Sequence, residues 1–377
     1  MYSRLLKPSS TQSFFLFGPR GTGKSSWVKS NMPEALYLDL LEAELYNDLL
    51  MQPQRLEGLT QKYKNHWVVI DEVQKIPGLM DEIHRLIEKY HIKFVLTGSS
   101  ARKLRQKGVN LLAGRALTYA MYPLTIREMG EDFSLAKALN IGLLPGAVKN
   151  SDAAKFLESY VRTYLQEEVK QEGLTRNLSA FSRFMEAASF SQGAQLNISK
   201  VSSDCAVERK VVENYFSILE DLMLSVRLPV FTKKAKRRMA AHPKFYYFDT
   251  GVFRTLRPSG PLDSPEEIDG AALETLVLQE LRALNDYLGW GYTIYYWRTS
   301  DQTEVDFVLY GRQGLHALEV KRSGKIKRDD LSGLLAFKRD YPMAKCTLIY
   351  GGKQTYVEHG IDIVPLTDFL TNLPRHL

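Results

Sequence analysis

The sequence contains few cysteines, lacks a long apolar run and has no large excess of one charge. Its two cysteines, Cys205 and Cys346, have no neighbouring His or Cys, which excludes a disulfide framework and a zinc-binding pattern. The longest purely apolar runs, such as residues 14–17 and 67–70, have the length of strands and are too short to span a bilayer. The N-terminal residues lack the apolar core and small residues of a signal peptide. We therefore expect a cytoplasmic protein with no membrane partner.

The composition is that of a folded chain with several domains. Of 377 residues, 44% are hydrophobic and 25% are charged, which excludes a largely disordered or fibrous protein. A single core rarely grows to this length, so we predict three domains at residues 1–130, 131–260 and 261–377. The formal net charge of +7 divides into +6, +5 and −4 over these segments. A polyanionic partner would therefore contact the first two segments.

The most specific motif follows the apolar run at residues 14–17. It reads Gly-Pro-Arg-Gly-Thr-Gly-Lys-Ser, which matches G-x-x-x-x-G-K-[ST], and a helical segment follows it. In this context the glycines let backbone N–H groups surround a β-phosphate beside the positive end of the helix. Lys24 would contact the β- and γ-phosphates, and the Ser25 hydroxyl would bind Mg²⁺. The predicted ATP-binding residues are Gly18, Pro19, Arg20, Gly21, Thr22, Gly23, Lys24, Ser25 and Ser26.

Two further apolar segments end in the polar side chains that ATP hydrolysis requires. Residues 67–70 lead into Asp71, which would support the Mg²⁺ through water, and Glu72, which would orient or deprotonate the attacking water. Residues 94–96 lead into Thr97 and Ser99, which would lie near the γ-phosphate as sensor or water-positioning groups, or form a simple polar turn.

The segments at residues 36–40 and 116–122 complete a set of about five strands that alternate with helices. This alternation predicts an α/β fold with a parallel sheet and helices on both faces. Arg115, or as a second choice Arg105, would stabilise charge on the γ-phosphate of a neighbouring subunit. A solvated basic face explains either arginine equally well.

Four motifs in order resemble the ATPases of the AAA superfamily that carry a C-terminal domain of unknown function of the DUF4143 type. They are the P-loop, the apolar run before Asp71-Glu72, Leu-Thr-Gly-Ser-Ser from residue 96, and Ala113-Gly-Arg115 with Tyr-Pro-Leu from residue 122 and Glu128. The likeness continues through most of the chain. The resemblance implies ATP hydrolysis in an AAA-type P-loop domain, with ATP and Mg²⁺ as cofactors. This type of engine and the candidate arginine favour a homo-oligomeric ring, most simply a hexamer.

The middle segment has the pattern of a helix-turn-helix unit. A short helix, a turn near residues 202–206 and a longer helix from Arg209 precede a β-rich stretch that would form a wing. Arg209 and Lys210 would contact DNA from the start of the second helix, although such units also serve as protein-binding or lid elements. A basic run would form a phosphate-binding loop or a flexible solvated loop, and its charged residues are Lys233, Lys234, Lys236, Arg237 and Arg238.

The last segment brings together three carboxylates and a lysine in the predicted elements. Glu274 lies on an amphipathic helix, Asp306 begins a hairpin strand, and Glu319 and Lys321 share one face of the next strand. Carboxylate oxygens bind Mg²⁺, so Asp306 and Glu319 are the candidate metal ligands, with Lys321 orienting water or stabilising a pentavalent phosphate. His316 lies on the opposite face and is interpreted as a packing residue.

This arrangement resembles the PD-(D/E)XK nuclease fold, in particular its Holliday-junction-resolvase branch. The resemblance covers residues 271–350 and implies a restriction-endonuclease-like α/β domain with metal-dependent nuclease activity. A nuclease-like domain without catalysis, which keeps its charged cluster for binding, is the competing interpretation.

Two functions remain open at this point. The preferred one is an ATP-driven motor that acts on DNA, including branched DNA, through a winged-helix-like middle domain and a nuclease-like tail. The alternative is an oligomeric signalling switch in which ATP controls assembly and an inactive nuclease-like domain binds a protein partner.

Overall fold

The computed structural model describes residues 2–63, 66–102, 104, 112, 114–165, 169, 177–233, 239–240, 242–261 and 263–377. The chain divides into two compact units, which are described separately. The first contains residues 3–122 together with 218–224, and the second contains residues 123–217 together with 225–377. Among the described residues, no helix combines the length and the apolar character needed to cross a bilayer.

The first unit is built on a parallel sheet. Every pair of neighbouring strands in it is parallel, and the spatial order is β2-β3-β4-β1-β5. The predicted five-stranded parallel sheet is therefore confirmed. Its strands are β1 Ser13–Phe17, β2 Leu36–Asp39, β3 Trp67–Asp71, β4 Lys93–Gly98 and β5 Ala116–Ala120, and its helices are α1 Lys24–Asn31, α2 Ala43–Met51, α3 Arg55–Thr60 and α4 Leu79–Tyr90.

The sequence explains why these segments form the centre of the sheet. Every residue of β1 is buried, as are the last four residues of β3 and the last five of β4. Strands that are covered on both faces have continuous apolar sequences, which is the pattern of Phe-Phe-Leu-Phe in β1 and Val-Val-Ile in β3. Because parallel strands point the same way, β1, β3 and β4 end at one edge of the sheet.

A distant piece of chain completes this unit. Residues 218–224 group with it, and Met223 packs against its hydrophobic core. Arg102 forms an ion pair with Asp221 in the same unit. The first unit is thus assembled from two separate stretches of sequence.

The chain between residues 123 and 260 is mainly helical. Its helices are α5 Ile126–Met129, α6 Leu135–Ile141, α7 Pro145–Lys149, α8 Ala153–Ser159 continued by a π-helical stretch Tyr160–Leu165, α9 Leu178–Ser189, α10 Ile198–Cys205, α11 Arg209–Asp221 and α12 Thr250–Leu256. An antiparallel pair of strands, β6 Ser225–Leu228 and β7 Lys244–Tyr247, follows α11. The order α10-α11-β6-β7 is the one expected from the sequence, and its assignment as a winged helix stays a prediction.

The C-terminal part of the second unit contains a mixed sheet with the order β12-β13-β11-β10-β9-β8. Strands β8, β9 and β10 form an antiparallel meander, whereas β10, β11 and β13 are parallel. A buried cluster around Trp297 and Phe337 forms the core beside this sheet. The elements are α13 Pro265–Tyr287, β8 Thr293–Arg298, β9 Glu304–Gly311, β10 Gly314–Lys321, α14 Ser332–Asp340, β11 Lys345–Tyr350, β12 Tyr356–Glu358, β13 Ile361–Pro365, α15 Leu366–Thr371 and α16 Leu373–His376.

Single 3-10 turns supplement these elements at Gln61–Tyr63, Val73–Lys75, Gly130–Asp132 and Arg328–Leu331. Both cysteines are free and buried.

Candidate functional site

The loop between β1 and α1 has a backbone that only glycine adopts easily. Gly21 and Gly23 have φ values of 81° and 94°, in the left-handed region. A Cβ atom on Gly18 would lie 2.3 Å from the carbonyl oxygen of Met121, so this position excludes any side chain. Gly23 precedes α1 without a side-chain cap, which leaves the first N–H groups of the helix available to an anion. The predicted P-loop therefore has the backbone of a phosphate cradle.

The Lys24 side chain lies over this loop. Its ammonium group donates hydrogen bonds to the carbonyl oxygens of Gly18 at 2.7 Å and Pro19 at 3.1 Å, and only 7% of the residue is exposed. The Thr22 hydroxyl donates to the same Pro19 oxygen at 2.8 Å. Lys24 is thus held at the loop where the sequence places a phosphate. Arg20 and Ser25 are half-buried, and Ser26 is exposed.

Arg4 is a contact of the loop that the sequence did not indicate. Its guanidinium group donates to the carbonyl oxygen of Thr22 at 2.8 Å and to that of Tyr122 at 2.6 Å. Arg4 thereby ties the P-loop to the chain that follows β5. No motif surrounds this arginine, so nothing in the sequence could have identified it.

Asp71 is buried at the end of β3, and two hydroxyl groups donate to its carboxylate. The Thr97 hydroxyl from β4 donates to one oxygen and the Tyr37 phenol from β2 donates to the other. Burial, with the hydrogen bond to Asp71, raises the pKa of Tyr37, and a hydrogen bond with the Ser25 side chain opposes this shift. Tyr37 therefore lies beside both predicted magnesium ligands, Ser25 and Asp71. The sequence prediction included Thr97 but missed Tyr37.

Glu72 follows Asp71 in a left-handed conformation, with φ 60°. Its backbone N–H donates to the Thr97 hydroxyl at 3.4 Å, and its carboxylate accepts a hydrogen bond from the Gln74 amide at 2.5 Å. The same amide donates to the Ser99 hydroxyl at 3.2 Å. Gln74 thus joins the candidate base to the candidate sensor. A strained backbone at the end of a buried strand is common where a side chain is positioned for function.

Of the two arginines predicted to contact a neighbouring subunit, the structure describes only Arg115. Arg115, just before β5, forms an ion pair with Glu88, and both side chains are more than one third exposed. Arg105 lies outside the described residues. Arg115 is therefore on the surface, where contact with another subunit is sterically open.

A second cluster of charged side chains lies in the C-terminal part of the second unit. The Asp306 backbone N–H donates to the Glu319 carboxylate at 3.4 Å, and the Lys321 ammonium group is 2.8 Å from the other Glu319 oxygen. Glu274 on α13 reaches the same cluster. The four predicted residues are therefore brought together, and Glu319 and Lys321 share one face of β10.

The centre of this cluster contains a lysine that the sequence prediction did not include. The ammonium group of Lys244, on β7, is 3.6 Å from a Glu274 oxygen and 3.4 Å from an Asp306 oxygen, and it also pairs with Glu304. Its side chain is 3% exposed. A single charge in the aromatic strand Lys-Phe-Tyr-Tyr is a sequence signal for a buried ion pair, since lysines are rarely buried without a partner.

Burial dominates the protonation of this cluster. It raises the pKa of Glu274 and that of Glu319, and the Asp306 carboxylate contributes to both shifts. Burial alone would lower the pKa of Lys244, but Tyr246 and the surrounding carboxylates raise it well above its usual value. The surrounding carboxylates therefore favour the protonated form of Lys244.

These residues do not fit the divalent metal that the sequence predicts at Asp306 and Glu319. Within the part of the chain that the structure describes, no three His, Cys, Asp or Glu side chains are arranged to hold a metal ion. The ammonium group of Lys244 lies where the carboxylates converge. By contrast, Ser25 lies beside the P-loop and fits a magnesium ion that enters with ATP. Asp71, whose two oxygens accept hydrogen bonds from Tyr37 and Thr97, would support that ion through water.

Three of the residues predicted to contact DNA fall within the described part of the chain, and all three are exposed. Arg209 pairs with Glu213 at 3.0 Å on an exposed helix face, and Lys210 is also exposed. The Lys233 ammonium group lies 4.3 Å from the centre of the Tyr310 ring. The remaining basic residues fall outside the described part of the chain, and they are Lys234, Lys236, Arg237 and Arg238.

Three family models match consecutive parts of the chain. Residues 10–130 match an AAA domain, residues 132–263 match a domain of unknown function (DUF8612), and residues 269–369 match a domain of unknown function (DUF4143). An uncharacterized protein of Mycobacterium tuberculosis is 25% identical over 372 residues, which cover 95% of this chain and 79% of that protein. An uncharacterized protein of Haemophilus influenzae is 22% identical over 83% of this chain and 80% of its own length.

Two solved structures are similar over large parts of the chain. The ORC1 protein of Aeropyrum pernix, solved in complex with DNA, is 15% identical over 66% of this chain and 86% of that one, with a TM-score of 0.24. A signal transduction ATPase of Pyrococcus horikoshii with a tetratricopeptide repeat sensor is 14% identical over 74% of this chain and 46% of that one, with a TM-score of 0.23. Such TM-scores are too low to establish a shared fold. The match of residues 10–130, together with the P-loop and the parallel sheet, supports an AAA-type ATPase domain.

Proposed function

We propose that the N-terminal domain binds ATP with Mg²⁺ and hydrolyses it. The observation that carries this proposal is the meeting of three parts at one edge of the parallel sheet. They are a glycine-determined loop that holds Lys24, the buried Asp71 at the end of β3, and Glu72 held by Gln74. Phosphoryl transfer needs little beyond positioning, charge stabilisation and an oriented water, and these residue types supply all three.

Each residue has a defined task in this proposal. The loop N–H groups and Lys24 bind the phosphates, and Ser25 and Asp71 hold the magnesium ion that accompanies ATP. Glu72 accepts the proton of the attacking water or orients it, and Gln74 keeps its carboxylate in place. Thr97 links Asp71 to the backbone of Glu72, so the metal ligand and the base are positioned by one hydroxyl group.

Two substitutions test this assignment. Lys24→Ala is expected to abolish binding of a fluorescent ATP analogue, whereas Glu72→Gln should bind it normally and hydrolyse ATP at least about tenfold more slowly. Lys62→Ala, an exposed lysine in the same unit, is the matched control and should behave as wild type. Equal hydrolysis by the Glu72→Gln variant would remove Glu72 from its role. Full nucleotide binding by Lys24→Ala would overturn the site itself.

The active form is a homo-oligomeric ring, most simply a hexamer, in which Arg115 contacts the γ-phosphate bound by a neighbouring subunit. Its exposure and its surface partner Glu88 support this role. Arg115→Ala should keep ATP binding and lose hydrolysis, while Glu88→Gln, which removes this ion pair and keeps the arginine, should stay active. Native mass spectrometry with a slowly hydrolysed ATP analogue measures the subunit count, and a monomer that hydrolyses ATP fully would contradict the ring.

The ring acts on DNA, including branched DNA. The support is the charge of +6 and +5 on the first two segments and the exposed Arg209 and Lys210 at the start of α11. ATP hydrolysis should therefore rise several-fold with duplex, forked or four-way DNA. The measurement is the steady-state ATPase rate with each DNA and with an uncharged polymer as control.

A second candidate function is a switch in which ATP controls assembly and the C-terminal domain binds a protein partner. One observation favours it over a nuclease, namely the buried ammonium group of Lys244 beside Glu274 and Asp306, of which Asp306 is a predicted metal ligand. If the protein is a switch, DNA should not change its ATPase rate, whereas DNA should raise the rate of a motor. The same assay therefore separates the two functions.

A further inference from the structure

The backbone of Lys244 is paired with other segments on both of its sides. In β7 it pairs with Leu228 of β6, and on its other side it forms an isolated bridge with Gln195. The backbone N–H of Leu196 also donates to the Pro243 carbonyl oxygen at 2.8 Å. This pairing fixes the position of the Lys244 backbone, and the buried ion pairs with Glu274, Glu304 and Asp306 hold its side chain. Its ammonium group is a built part of the site.

The ammonium group has a full set of partners. A protonated lysine offers three N–H donors, and the three carboxylates of Glu274, Glu304 and Asp306 surround it. The Tyr296 ring adds a further favourable contact, with its centre 5.6 Å from the nitrogen. Because the side chain is 3% exposed, water does not compete for these contacts.

The carboxylates have further partners: Asp306 and Glu304 through their second oxygen, and Glu274 through the same oxygen that faces Lys244. Asp306 accepts a hydrogen bond from the Val320 backbone N–H at 2.9 Å, and Glu274 accepts one from the Tyr246 phenol at 2.8 Å. Glu304 pairs with Arg298 at 2.6 Å. Magnesium needs six oxygen ligands in a nearly octahedral arrangement, and these oxygens already serve fixed donors.

We propose that the Lys244 ammonium group is the resident cation of this cluster, so that the cluster takes no divalent metal and does not cleave phosphodiesters. Lys244 pairs with Asp306, one of the two predicted metal ligands, and Lys321 pairs with Glu319, the other, so each predicted ligand already has a positively charged partner. The C-terminal domain then keeps a nuclease-like arrangement of residues for stability or binding. This inference does not depend on ATP hydrolysis by the N-terminal domain.

The experiment measures Mn²⁺ binding to the full-length chain without nucleotide, by the loss of the free-ion electron paramagnetic resonance signal. The wild-type protein and the Asp306→Asn variant should bind the same amount of Mn²⁺, because wild type has no Mn²⁺ site at Asp306. Lys244→Ala should gain one site per chain, because the carboxylates lose their internal cation, and the double variant with Asp306→Asn should lose it again. Lys353→Ala, an exposed lysine of the same unit, is the matched control and should gain nothing.

Lys244→Gln, whose side chain is one atom shorter, removes the charge and can still donate hydrogen bonds, and it guards against failure of the alanine variant to fold. Thermal unfolding of both variants with and without millimolar Mn²⁺ provides a second readout. A Tm that rises by several degrees with Mn²⁺ in either variant and stays constant in wild type supports the proposal. It is overturned if wild type holds a Mn²⁺ that Asp306→Asn releases, or if neither variant gains binding or metal-dependent stability.

The two proposals fail independently. If the protein does not hydrolyse ATP but the Mn²⁺ experiment gives the expected result, only the proposed ATPase activity is refuted. Normal hydrolysis with a wild-type metal site at Asp306 would remove only the resident lysine and would restore the nuclease hypothesis.

Discussion

Glu280 lies in the interior of α13 with 1% of its surface exposed. One carboxyl oxygen accepts a hydrogen bond from the Ile126 backbone N–H at 3.1 Å, and the other has no hydrogen-bond partner in the described part of the chain. Burial raises the pKa of Glu280 from its usual 4.5 to about 8, with the Glu128 carboxylate adding to this effect. The side chain therefore carries a proton in the folded protein at neutral pH.

Glu280→Gln is expected to stabilise the protein at alkaline pH. The native carboxyl keeps its proton up to about pH 8, whereas the unfolded one loses it near pH 4.5. Because the folded state binds more protons in this window, the free energy of unfolding falls as pH rises through it, and an uncharged amide removes that loss. We expect a gain of roughly 1–3 kcal/mol at about pH 9 and little gain at about pH 5, measured as Tm by calorimetry.

Glu131→Gln, at an exposed position of the same unit, controls for the loss of one negative charge. The Tm of this control variant should differ little from that of wild type at both pH values. A Glu280→Gln variant that loses the same stability at both would mean that the native carboxyl is ionised.

The sequence identified the candidate site residues that belong to a contiguous pattern. The P-loop glycines, Lys24 and Asp71 follow from a strand, a loop and a helix that are contiguous in the chain. The packing role of His316 is confirmed, since it is 5% exposed and burial lowers its pKa to about 4. Tyr37 and Lys244 were missed because their partners come from strands that are distant in sequence and meet only in the folded sheet.

At the scale of elements, alternation along β10 is the prediction that the structure supports most directly. Residues two apart in a strand share a face, and the ion pair between Glu319 and Lys321 at 2.8 Å follows from this rule. The position of Lys244 on β7 beside Asp306 could not be predicted. The alternation of side chains shows which residues of one strand share a face, but it does not show which other element packs there. The strand patterns therefore predicted the candidate metal ligands Asp306 and Glu319, but they did not predict that Lys244 contacts Asp306.

The P-loop is an element whose shape depends on a residue outside it. Arg4→Met keeps the aliphatic stem and removes the hydrogen bonds to the carbonyl oxygens of Thr22 and Tyr122. We expect the loop to hold ATP roughly 3- to 10-fold more weakly, because about 1 kcal/mol of its ordering is lost. Titration with a fluorescent ATP analogue measures the affinity, and hydrogen exchange of residues 18–23 measures the ordering.

Arg55→Met is the matched control for this substitution, since Arg55 forms an exposed ion pair with Asp48 in the same unit. It should leave ATP affinity unchanged. Unchanged affinity together with faster exchange in Arg4→Met would show that the clamp orders the loop without contributing to binding.

At the scale of the whole molecule, charge is divided along the chain. The C-terminal segment, residues 261–377, carries −4 against +11 on the rest. Contact with a polyanion should therefore come from the first two segments, and the number of charges involved determines how steeply binding falls with salt.

The salt dependence of DNA binding tests this division. Replacing both Arg209 and Lys210 by Ala should reduce the slope of log affinity against log salt by about 2, since each phosphate contact contributes about 0.9. The paired control replaces Lys325 and Lys353, two exposed lysines of the acidic segment, and should leave the slope unchanged. Fluorescence anisotropy with a labelled duplex over a range of salt concentrations gives both slopes. A smaller slope in the control would locate the contact surface in the tail.

The two-part composition of the first unit has a consequence for how the protein is made. Residues 3–122 leave the ribosome long before residues 218–224, which supply Met223 to the hydrophobic core and Asp221 to Arg102. At roughly 5–20 residues per second, the nascent chain waits on the order of 5–20 s for this last piece. During that interval apolar side chains of the unfinished core face the solvent. The first unit therefore cannot finish folding until residue 224 has emerged, and a chaperone that binds nascent chains has its best opportunity in that interval.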